Sequence, residues 1–93
     1  MTTGQDDTSP SAVVGRGAEV CRSLAAYIIA LEEVLETEDG TDKHRACADQ
    51  AIKEFKAQVQ EIEEAMDEEA ANVWWTAITK SPELMVIYPR YFL

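Results

Sequence analysis

Between Gly40 and Pro82 the chain carries neither glycine nor proline, and this uninterrupted stretch, residues 41–81, limits the fold more than any motif does. A segment without either breaker can remain helical along its whole length. Thr41 offers a hydroxyl to cap its start, and Asp42 places a negative charge in its first turn. Beyond them Ala48, Ile52, Phe55, Val59, Ile62, Met66, Val73 and Ala77 recur in steps of three and four, weakened only at Glu69 or Ala70. Lys53, Glu54, Lys56, Glu61, Glu63 and Glu64 flank that seam. The pattern predicts one long helix with a left-handed helix-on-helix seam.

A shorter helix is expected before it. From Ala18 to about Glu36, the residues Val20, Cys21, Leu24, Tyr27, Ile28, Leu31, Val34 and Leu35 repeat with helical spacing and form one broad apolar face. Ala25, Ala26, Ile29 and Ala30 widen it, so contact from two sides is expected. Thr37, Glu38, Asp39 and Gly40 then predict a tight reversal, with Gly40 in the left-handed conformation that closes a helix.

Length decides the next step. At about 1.5 Å per residue the first helix spans roughly 30 Å and an unbroken second helix roughly 60 Å. Folded back across Gly40, the first reaches only to about residue 62, leaving Met66, Val73, Trp74, Trp75 and Ile78 uncovered. Either the second helix bends within residues 67–72 and its last third packs back, or another chain covers that part. Two indoles, each burying on the order of 200 Å², and the small core open to so short a chain favour the second solution. The expected fold is therefore all-α: a helical hairpin with a long second helix that dimerises into an antiparallel four-helix bundle or coiled coil.

The flanks complete the expected organisation: a flexible arm over 1–17, the hairpin domain over 18–80 and an apolar, aromatic tail over 81–93. Gly4, Pro10, Gly15 and Gly17 among Ser, Thr and Asp make the arm too poor in apolar surface to offset its ordering entropy. Ser81 and Pro82 mark a helix stop or a new start. The tail that follows is expected to be extended, because Pro89 interrupts a regular helix. Such a strip either closes the core of its own fold or dimer or docks on a partner.

Charge narrows the function. Eighteen Asp and Glu against eight Lys and Arg leave a net charge of -10, which argues against direct contact with nucleic acid or an anionic membrane. The longest nearly apolar run, residues 24–31, falls far short of the roughly 20 residues of a membrane span. No basic start followed by an apolar run is visible, and two cysteines suit a reduced setting, so a cytoplasmic location is expected.

No catalytic, cofactor or metal site is expected. The single histidine, His44, follows Thr41 at the spacing where a di-iron motif requires Glu, and reads instead as an exposed first-turn residue. In a hairpin, Cys21 and Cys47 lie too far apart for a disulfide and read as buried small hydrophobes. Gly15, Arg16 and Gly17 lack the preceding strand and the lysine of a phosphate loop. The many carboxylates stand in solvated runs rather than in a cleft. The expected function is thus a non-enzymatic protein-binding module: a small acidic adaptor, chaperone or inhibitor acting on another protein with a basic surface. Trp74, Trp75, Tyr88, Tyr91 and Phe92 are its expected partner-binding anchors. The alternative is an acidic nucleic-acid mimic, a phage-type inhibitor of a DNA- or RNA-binding defence or polymerase complex, with Glu61, Glu64 and Glu68 imitating phosphates.

Overall fold

The first helix begins earlier than its apolar pattern predicts. In a computed structural model, which describes residues 9–92, helix α1 runs Pro10–Leu35. Ser9 caps it, its hydroxyl accepting the Ala12 amide at 3.2 Å, and Pro10 at the first helical position brings a preset φ and no amide to satisfy. Val14 is fully buried. The flexible arm expected over 1–17 therefore does not extend through residues 10–17; residues 1–8 of that expectation, and Leu93 of the tail, lie outside the described residues.

Gly40 also acts differently from expectation. No described residue has positive φ, so Gly40 does not close α1 through a left-handed conformation. It is required for space: a Cβ there would lie 2.7 Å from the Leu35 Cα and 2.9 Å from the Val34 carbonyl oxygen. Helix α2, Asp42–Ala65, starts from a reciprocal cap in which Thr41 Oγ1 accepts the His44 amide and His44 Nδ1 accepts the Thr41 amide at 3.1 Å.

The long second helix is not continuous. It stops at Ala65, Met66 takes an extended conformation, and the Asp67 carboxylate accepts the Ala70 amide at 2.7 Å to start α3, Glu68–Lys80. The break lets Ala70, Trp74 and Ile78 turn inward. Burying an indole of about 200 Å² contributes roughly 5 kcal/mol, against about 1 kcal/mol net for each backbone hydrogen bond given up at the break. Burial wins, and the fold-back replaces the straight rod.

The tail is helical as well. Ser81 ends α3 and caps α4, Pro82–Phe92, by accepting the Leu84 amide at 3.2 Å. Pro89 lies inside α4 and does not make it extended. The missing amide costs one bond to the carbonyl of Met85, an exposed residue, while helical spacing buries Leu84, Ile87 and Tyr88 together.

Helix α1 is the central element, packed against α2, α3 and α4, with α3 also against α4. Contact from two sides is thus realised within one chain: Gly17 lets α1 approach Ile62 of α2, while Gly15 faces Val73 of α3. The molecule measures 54 × 22 × 19 Å. Trp74, only 2% exposed, is covered by its own chain, so the uncovered surface that called for an antiparallel dimer is absent at that position. Among the described residues no helix is long and apolar enough to cross a membrane.

Candidate functional site

The five expected aromatic anchors separate into an inner and an outer group. Trp74 on α3 meets Tyr88 on α4 edge to face, with centroids 5.6 Å apart at 84°, and both rings are buried. Phe92, half-buried, stacks on Tyr88 at 5.2 Å and lies 5.9 Å from Phe55 of α2. Tyr91, also half-buried, donates its hydroxyl hydrogen to Glu32 Oε2 at 3.3 Å, beside an Arg90–Glu32 ion pair. Partial burial and the Glu32 carboxylate hold the Tyr91 phenol above its ordinary value, and Lys56 Nζ lies 5.6 Å from its ring centroid. These four rings tie α4 to α1, α2 and α3. Trp74 and Tyr88 are accordingly core residues, not free anchors.

Trp75 is different. It is 53% exposed and rests one edge on Tyr88 at 6.3 Å. Met85, one helical turn before Tyr88, is 55% exposed, and Val86 beside it is exposed too. The outer face of α3 and α4 therefore presents three large apolar side chains that the core does not use.

Glu61 and Glu64 are exposed one turn apart on α2, and Glu68 is exposed in the first turn of α3. Glu68 and Glu69 there complement the positive end of the α3 dipole, which gives these two carboxylates a structural use as well. Among the described residues no group of three His, Cys, Asp or Glu side chains is placed to hold a metal ion.

A second feature lies between α1 and α2. A groove of about 320 Å³ is lined by Leu24 and Tyr27 from α1 and by Ala46, Cys47, Gln50, Ala51 and Glu54 from α2. Tyr27 is 48% exposed. Its phenol is held above its ordinary value, first by the neighbouring Cys47 thiol and then by slight burial and the Glu54 carboxylate. The expectation that both cysteines are buried fails here: Cys21 is buried, Cys47 is exposed, and both are free. Val20 and Tyr27, read from periodicity as part of the buried face, are also exposed. The cause is geometric. The apolar arc of α1 is wider than α2 on one side and α3 with α4 on the other can cover, so its edge remains in solvent.

Compared with protein-family models, with curated proteins and with solved structures, the chain shows no match.

Proposed function

We propose that this chain is a non-enzymatic protein-binding module, an acidic helical adaptor, chaperone or inhibitor that occupies a surface of another protein. The observation that carries the reading is Trp75, a large aromatic side chain held on a buried Tyr88 and left 53% exposed. Aromatic residues fixed on a rigid support are frequent sources of binding energy, because little side-chain freedom is lost on contact. The net charge of -10 raises the encounter rate with a basic partner.

A second reading rests on the exposed carboxylates Glu61, Glu64 and Glu68, which on a stiff helical body would compete with phosphates for a basic channel. The two readings differ in salt response. The tagged protein, immobilised and challenged with extract of its source cells at low and high salt, is expected to retain a protein partner at high salt. Trp75→Ala is expected to weaken that capture about tenfold or more while leaving the helical circular dichroism unchanged. Loss of the partner at high salt, competition by DNA or RNA, and sensitivity to the triple Glu61→Lys, Glu64→Lys, Glu68→Lys variant instead of Trp75→Ala support mimicry and overturn the first reading.

A further inference from the structure

Helix α4 turns one side away from the core. Pro82, Met85 and Val86 are exposed and Pro89 is half-buried, and at positions i, i+3, i+4 and i+7 the four form one apolar row. Leu84, Ile87 and Tyr88 face the opposite way and are buried. Across residues 70–92 the charged side chains are Lys80, Glu83 and Arg90, a net charge of +1 (two positive against one negative), while residues 1–69 carry -11 (six positive against seventeen negative). Three residues of α1 stand by these groups: Glu32, paired with Arg90, and Arg22, paired with Glu19 and close enough to act on Glu83. With them the balance is zero (Arg22, Lys80 and Arg90 against Glu19, Glu32 and Glu83). The sum of charge at the row therefore draws neither a basic nor an acidic partner, and two copies of a chain of -10 can meet there without local repulsion.

We infer that this row is the contact between two copies of the chain, paired antiparallel through α4. The arrangement of charge selects a second copy where its sum selects nothing. Glu83 and Arg90, seven residues apart, stand on one flank of the row with opposite signs. A twofold axis that crosses the two helices at right angles exchanges their ends and keeps each flank facing itself. Glu83 then meets Arg90 of the second copy and Arg90 meets its Glu83, so one ion pair is made twice. The same operation sets Pro82 against Pro89 and Met85 against Val86, because the midpoint of the row and the midpoint of the two charges differ by one residue, about 1.5 Å along the axis. An eleven-residue helix is about 16 Å long, which places the interface in the small class below about 1,200 Å², so the dimer is weak and depends on concentration. This contact is not the one expected from the sequence, since it uses the outer row of α4 and not an uncovered Trp74. It goes beyond the adaptor reading and does not rest on it.

The test is the average mass of the full chain by sedimentation equilibrium between about 10 μM and 1 mM. A rise from 10.4 kDa toward twice that value is expected. Met85→Glu, which puts a carboxylate at the centre of the row, is expected to weaken the dimer at least about tenfold, with Val86→Glu in its place if the first variant fails to fold. Glu83→Arg and Arg90→Glu, each of which sets like charges face to face twice, are each expected to weaken it about tenfold while the helical circular dichroism persists. The two changes combined leave the net charge at -10 and are expected to restore the dimer to within about threefold of the parent. A parallel pair, which sets Glu83 against Glu83, gives no such loss and recovery. A monomer at every concentration, indifference to both Met85→Glu and Val86→Glu, or a double variant no better than its two singles overturns the inference. A monomer that still captures a partner through Trp75 leaves the adaptor reading standing, and a dimer that captures none does the reverse.

Discussion

Two glycines two residues apart in α1 carry opposite consequences. A Cβ on Gly15 would meet only Val73 Cγ1 at 4.0 Å, an ordinary contact, whereas on Gly17 it would lie 2.7 Å from Ile62 Cγ1 and 3.0 Å from Gln58 Nε2. Gln58 can swing aside; Ile62 is branched and buried and cannot. Gly15→Ala is therefore expected to raise the unfolding free energy by about 0.5 to 1 kcal/mol through helix propensity. Gly17→Ala is expected to lower it by about 1 to 3 kcal/mol through overpacking. Urea titrations of the two variants check the pair, and changes of the same sign contradict the packing described. Composition places both glycines in a mobile arm because it counts their entropy and not their neighbours. The local signal was nevertheless present: Ser9 followed by Pro10 has the chemistry of a helix cap and first position. For Cys47, residue type suggested burial, but the edge of α2 on which it falls depends on where α1 ends its coverage, a property no local pattern contains.

At the level of elements, the same Ser-Pro grammar starts α1 and α4, and an aspartate starts α3. The sequence made the all-helical class legible through period alone, and the mismatch in helix lengths located the problem correctly. The indoles and the short chain then pointed to the wrong one of its two solutions, an unbroken helix covered by a second chain, where the structure breaks the helix after Ala65 and folds it back. A seam in steps of three and four looks the same whether the helix continues or breaks and resumes, and Asp67 stands in a run of strong helix formers that masks its capping role. The decision rests on the burial of Trp74, which only tertiary packing reveals. Asp67→Ala removes the acceptor of the Ala70 amide and is expected to cost about 1 kcal/mol, with Asp67→Asn restoring most of it. Thermal unfolding followed at 222 nm reads the difference; an unchanged midpoint would place the cause of the break elsewhere.

Across the whole molecule, the side chains that α2, α3 and α4 turn toward α1 join in one cluster that includes Cys21, Phe55, Trp74 and Leu84. Cys21 is fully buried there, and burial pushes its thiol up from an ordinary value near 9 to about 12. Between those two values the unfolded chain releases the Cys21 proton and the folded chain keeps it. The free energy of unfolding then drops with each step in pH, so the stability is fully present below about pH 9 and is lost as pH rises toward 12. A Cys21→Ala variant keeps every other ionisable group of the chain while removing the thiol. Urea midpoints measured at several values between about pH 8 and pH 10.5 are expected to fall more steeply for the parent chain than for Cys21→Ala. Parallel slopes would mean that the thiol is not sealed in the native state. A thiol reagent gives the kinetic counterpart: exposed Cys47 reacts in the folded protein, while Cys21 waits for the core cluster around α1 to open and so reports that opening.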